Sequence, residues 1–285
     1  MPTNKDARPW QRRASARRGS VGSLEAILAE GVEPDAALLV DGASVLHVAV
    51  ASGNLAAARL LLAAGADINR PDTRQHSPLY RAAFRGDEAM VRLLLHSNAN
   101  VDQPTSLDET PLMAAAQEGH VAIVALLLSS HAQVDATNCY GETALYWAAA
   151  RGHADVAALL LSANASATLR TPMGRSPLLV AVQGKALDVV EHVLLHGPLD
   201  REDVRDAALL ALRDHSDPVL VTRLLHATVR PTHWEAVKAI LVTRTQSDSS
   251  FANALLTMPP TLHLCDKMLR ALAKEVVAAR RRPSA

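Results

Sequence analysis

With 285 residues, 49% of them apolar, the chain can form one or two globular domains or a single elongated array with a continuous core. The apolar set is mostly Ala, Leu and Val, with only three Trp, three Tyr and two Phe. That argues against a strand-rich fold, which wants aromatic and β-branched residues, and for closely packed helices. A formal net charge of zero gives no overall pull toward nucleic acid or an acidic membrane surface.

In chain order, residues 1–18 come first. They hold Lys5, Arg8, Arg12, Arg13, Arg17 and Arg18 against the single acid Asp6. With few core-forming residues, this stretch is expected to be a disordered basic tail. Its Arg-rich, acid-poor composition also fits a mitochondrial presequence or a nuclear-import signal. Arg12-Arg13-Ala14-Ser15 and Arg17-Arg18-Gly19-Ser20 resemble basophilic-kinase sites, as does Arg281-Arg282-Pro283-Ser284 at the other end. Ser15, Ser20 and Ser284 are therefore candidate phosphorylation sites, where phosphate would offset the local positive charge.

From Ser23, SLEAILAEGVEPD reads as the second half of a degenerate first repeat, with Gly31 in its turn slot. Regular repeats follow. SVLHVAVASGN begins at Ser44, SPLYRAAFRGD at Ser77, TPLMAAAQEGH at Thr110, TALYWAAARGH at Thr143 and SPLLVAVQGKA at Ser176, a constant step of 33. Leu46, Leu79, Leu112, Leu145 and Leu178 share one slot, and Ala49, Ala82, Ala115, Ala148 and Ala181 another. A second run keeps the same step: ARLLLAAGADIN, VRLLLHSNANVD, VALLLSSHAQVD, AALLLSANASAT and VEHVLLHGPLD.

Each slot has a physical reason. The opening Ser or Thr can cap a helix by accepting backbone N–H bonds. Pro78, Pro111 and Pro177 stand at the first helical position, where a missing N–H costs nothing. Gly53, Gly86, Gly119 and Gly152 end that short helix in the left-handed conformation. Gly65, Asn98, His131, Asn164 and Gly197, types that tolerate positive φ, mark the end of a second helix. Connectors such as NRPDTRQH and DATNCYGE are rich in turn residues and suit a hairpin-like loop.

This pattern resembles the ankyrin repeat, a β-turn followed by two antiparallel helices. The family's T-P-L-H-x-A motif appears as Thr110-Pro111-Leu112-Met113, Ser77-Pro78-Leu79-Tyr80 and Ser44-Val45-Leu46-His47; only the last keeps the family's His. The resemblance implies an all-α ankyrin-repeat solenoid over residues 19–200, helix-turn-helix units with short hairpin loops. It also implies binding of a partner protein, through a concave side lined by the first helices and the hairpin tips. The family's variable slots fall on Thr73, Arg74, His76 and Arg85, then on Ser106, Leu107, Glu109, Gln117 and Glu118. They continue at Cys139, Tyr140, Glu142 and Arg151, and at Met173 and Arg175. Arg and aromatic side chains are the usual hot spots of such surfaces. Tyr140 belongs at a hairpin tip, whereas Trp147 takes a slot that is normally buried and aliphatic.

Residues 201–245 read as a drifted helical repeat or cap, expected where one face of an array has no neighbour. Within 246–285, Leu262, Cys265, Leu269, Leu272 and Val276 fall at helical spacing, the pattern of an amphipathic capping helix. Pro260-Thr261-Leu262-His263-Leu264-Cys265 resembles the start of a SOCS box, which implies an alternative role as a ubiquitin-ligase adaptor docking elongin and cullin components through residues 251–276.

Catalytic signatures are missing: there is no phosphate loop of the G-x-x-x-x-G-K-[ST] type, no H-E-x-x-H and no G-x-S-x-G. His192 and His196 lie four apart but have no third ligand nearby in sequence, and His120 and His153 occupy a repeat slot. No enzyme activity, metal or cofactor is expected. Cys139 and Cys265 lie far apart and suggest no disulfide framework. No apolar run reaches the roughly 18 residues that a membrane span needs. The expectation is a non-enzymatic interaction module, cytoplasmic or nuclear.

Overall fold

The computed structural model of the chain describes residues 34, 35 and 42–196 and six helical positions between 203 and 211. The basic tail with Ser15 and Ser20, almost all of the degenerate first repeat, most of 201–245 and all of 246–285 with Ser284 lie outside the described residues.

Ten helices occupy residues 45–196, and no strand occurs among the described residues. They come in pairs: α1 (Val45–Ala51) with α2 (Leu55–Ala63), α3 (Pro78–Arg85) with α4 (Glu88–His96), and α5 (Pro111–Glu118) with α6 (Val121–Ser129). Then follow α7 (Ala144–Arg151) with α8 (Ala154–Ser162), and α9 (Pro177–Gln183) with α10 (Leu187–His196). This is the all-helical repeat architecture expected from the 33-residue step.

The capping slots work as their residue types require. Side chains of Ser44, Ser77, Thr110, Thr143 and Ser176 accept the N–H three residues on, and proline opens α3, α5 and α9. Asn54 and Asp87 cap α2 and α4 in the same way, at 3.0 Å each. His120 gives α6 no side-chain cap, because its ring turns back to the preceding repeat and the Nε2–H donates to the Phe84 carbonyl at 3.2 Å.

Helix stops also fall where expected. Gly53, Gly86, Gly119 and Gly152 have φ of +67°, +79°, +79° and +76°; Gly65, Asn98, His131 and Asn164 lie between +62° and +86°. Gly197 is outside the described residues. In the fifth repeat the left-handed residue is Lys185 (φ +59°), while Gly184 is right-handed at −75°. Lys185 stands 33 after Gly152, so the register of the repeat, not the glycine, chooses which residue turns.

The chain divides into two compact units, residues 1–148 with 155–165, and residues 149–154 with 166–285. In the first unit the helices of each pair pack together, α1 against α2, α3 against α4 and α5 against α6. Neighbouring repeats stack through α1, α3 and α5 on one layer and α2, α4 and α6 on the other. Leu46, Leu79 and Leu112 are buried in the first layer and Leu61, Leu94 and Leu127 in the second, and Leu145 and Leu160 in the corresponding slots of the next repeat are buried as well. Each fully buried leucine stabilises the fold by about 1.5–3 kcal/mol, and no single pair of helices could shelter them. In the second unit α9 packs on α10, and Leu178, Val182, Val189, Val190 and Val193 are buried with Val204, Ala207 and Ala211. There Arg170 pairs with the wholly buried Asp203 at 2.7 Å.

Candidate functional site

Three connectors of the first unit fold into near-identical hairpins because one buried side chain organises each. Asp72, Thr105 and Asn138 stand 33 apart at the hairpin base. The Asp72 N–H donates to the His76 carbonyl, Thr105 to Glu109 and Asn138 to Glu142, all at 3.0 Å. The Asp72 carboxylate accepts the N–H groups of Arg74 and His76, the Thr105 hydroxyl those of Leu107 and Glu109, and the Asn138 amide oxygen those of Tyr140 and Glu142. Such local side-chain bonds fix a turn without help from strand pairing. This column is not among the variable slots, although its period and its Asx and Thr types are visible in the sequence.

The tips are also tied to one another. Ser106 donates its N–H to the Arg74 carbonyl at 3.1 Å, and Cys139 to the Leu107 carbonyl at 3.0 Å. Arg74, Leu107 and Tyr140 therefore follow one another along a single hydrogen-bonded row. Side chains at the base add further links: the Asn69 amide oxygen accepts the Asn100 N–H, and the Asp102 carboxylate that of Gln133.

Between tips and first helices lies a polar network. His47 Nε2 sits 3.0 Å from the His76 carbonyl, so that nitrogen carries the proton and Nδ1 accepts from Ser44. One repeat on, Tyr80 takes the histidine's slot, and its hydroxyl donates to Glu109 Oε2 at 2.8 Å. The tie to the next repeat survives the change of residue, moved from backbone to side chain. His76 stacks on the Tyr80 ring, with centroids 5.0 Å apart and planes 4° from parallel. Burial pushes the Tyr80 hydroxyl above its usual range, helped by the hydrogen bond to Glu109 and by the negative charges of Glu109 and Glu118. Burial alone would raise the Asp72 carboxyl. The hydrogen bonds from Arg81 and from the His76 and Arg74 backbones, with the nearby His76 ring, outweigh it and hold that carboxyl below the usual range.

The variable-slot residues of this unit separate into two kinds. Thr73, Arg74, Ser106, Leu107, Cys139, Tyr140 and Glu118 are exposed, with Leu107 at 41% and Tyr140 at 58%. His76, Glu109, Gln117 and Glu142 are half-buried. His76, Glu109 and Glu142 are held by Asp72, Tyr80 and Asn138, so their first task is to shape the surface. Arg85 is exposed, yet its guanidinium donates to the Ala51 carbonyl at the end of α1. Phe84, outside the variable slots, is 44% exposed on α3 and belongs with the surface residues. Trp147 is half-buried, meets Tyr146 edge-on at 6.1 Å, and has a buried indole N–H with no acceptor among the described residues.

In the second unit Arg151 and Arg175 are exposed, and Met173 is 87% exposed at its hairpin tip. Thr171 repeats the organising column there, its hydroxyl accepting the Arg175 N–H at 3.2 Å. Among the described residues no group of three or more His, Cys, Asp or Glu is placed to hold a metal ion, and no helix is long and apolar enough to cross a membrane.

A family model described as ankyrin repeats matches residues 13–105 and 99–171, in three copies. The stretch resembling a SOCS box lies beyond those ranges and outside the described residues. No curated protein matches the chain.

Proposed function

Because the chain belongs to the ankyrin-repeat family, we propose that it works as a protein–protein interaction module whose reading surface is the row of hairpin tips with the adjoining first helices. The observation that carries this reading is the contrast along the row. Its backbone is held by buried side chains and tip-to-tip hydrogen bonds, while Arg74, Leu107 and Tyr140 project into solvent. A rigid scaffold presenting large exposed side chains loses little entropy on binding, and exposed apolar side chains gain from being covered. Tyr140 is the central anchor, since aromatic residues dominate the energetics of protein interfaces.

Tyr140→Ala is expected to weaken binding of a partner recovered with the intact chain by about tenfold or more, measured by calorimetry. Unchanged affinity in that variant, with loss on altering the exposed face of α4 at Arg92, would place the surface on the wrong side. An adaptor role toward elongin and cullin components would add a docking helix at residues 251–276. The hairpin surface serves a simple binding module equally well without it.

A further inference from the structure

Charge along this chain is segregated in a way that the zero net charge conceals. Between Arg92 and Arg151 there is no lysine or arginine, and the stretch carries Asp102, Asp108, Glu109, Glu118, Asp135 and Glu142. Four of these acids flank the exposed apolar tips: Asp108 and Glu109 follow Leu107, Glu142 follows Tyr140, and Glu118 closes α5. Among the described residues none of the four has a cationic side chain in ion-pair range. Glu109 and Glu142 each spend one oxygen on a neutral donor of this chain, Tyr80 and Asn138. The other oxygen of each has no hydrogen-bond partner among the described residues. The second and third tips thus combine apolar side chains with uncompensated negative charge, whereas the first tip presents Arg74.

The matching chemistry is present in the same chain. Lys5, Arg8, Arg12, Arg13, Arg17 and Arg18 lie within fourteen residues, together with one large aromatic, Trp10. Arg280–Arg282 offers charge as well, but no aromatic residue beside it. We propose that residues 5–18 of the chain itself occupy the second and third hairpin tips, with Trp10 against Leu107 and Tyr140 and the arginines against Glu109, Glu118 and Glu142. Repulsion by Arg74 keeps the basic segment off the first tip. The proposal rests on the surface assignment made under Proposed function and adds an internal ligand that a partner must displace.

The test uses the full chain with Trp10 replaced by the photo-crosslinker p-benzoylphenylalanine, and maps the products by mass spectrometry. Expected are cross-links within one chain to residues 106–109 and 139–142. Their yield should fall about tenfold in the triple variant Glu109→Gln, Glu118→Gln, Glu142→Gln, because several exposed charge pairs are lost together. It should fall similarly for the unaltered triad in about 1 M salt, which screens such pairs without changing the fold. Cross-links absent from those tips, formed only between two chains, or insensitive to both salt and the triple variant would overturn the proposal. Such a result, with Tyr140→Ala still weakening partner binding, leaves the interaction-module reading standing. The converse pair of results sinks that reading, and with it displacement by a partner, and leaves only the segment's contact with the tips.

Discussion

At the scale of single residues, backbone conformation follows position in the repeat, and side chains adapt to it. Gly86 shows the strict case. Its φ is +79°, and a Cβ there would lie 2.6–3.0 Å from three atoms of the His120 ring. Lys185 shows the tolerant case, in the same slot at φ +59° without a glycine. Gly86→Ala is therefore expected to destabilise the protein by about 1–3 kcal/mol. Lys185→Gly should stabilise it by about 0.5–1 kcal/mol, the strain relieved less the added freedom of the unfolded chain. Denaturant melts of the two variants would check both signs, and equal effects would mean that the slot carries no strain.

Between elements, the ties that hold one repeat to the next are polar where they meet the hairpins and apolar inside. Tyr80 on α3 reaches Glu109, at the base of the next hairpin, through 2.8 Å. Tyr80→Phe should cost about 1 kcal/mol and leave the ring's stacking on His76 in place. The same bond sets a pH dependence. Tyr80 holds its proton more tightly folded than unfolded, so its contribution is complete below the ordinary phenol value of 10.0 and is lost as pH rises past it. Stability curves of parent and Tyr80→Phe measured from pH 8 to 11 should converge on the alkaline side. Parallel curves would show that the hydroxyl does not titrate with folding.

For the molecule as a whole, stability is a property of neighbours. Leu127 is wholly buried in the layer it shares with Leu94. Leu127→Ala should cost about 2–5 kcal/mol. Because each repeat of the first unit leans on the next, that loss should lower the whole unit's unfolding midpoint instead of producing a separate early transition. Hydrogen exchange resolved by segment would distinguish the two. The proposed binding surface rests on the complementary property: the hairpins are stiffened from beneath, so side chains at their tips can vary with little effect on the core.

The period of 33, read from Ser44 to Ser176, was enough to place five pairs of helices, the Ser and Thr caps of the first helices and the stops at Gly53, Gly86, Gly119, Gly152, Gly65, Asn98, His131 and Asn164, because each depends on residues within four positions of one another. It also placed Tyr140 at a hairpin tip, where it is exposed. It could not tell that His76, Glu109 and Glu142 are engaged by Asp72, Tyr80 and Asn138, or that Arg85 caps α1. Those partners lie on a neighbouring element or repeat, and whether a polar side chain is spent inside the protein or left for a ligand depends on distances that only packing sets. Local order came from short-range geometry; the division of polar residues between scaffold and surface came from the stacking of one repeat on the next.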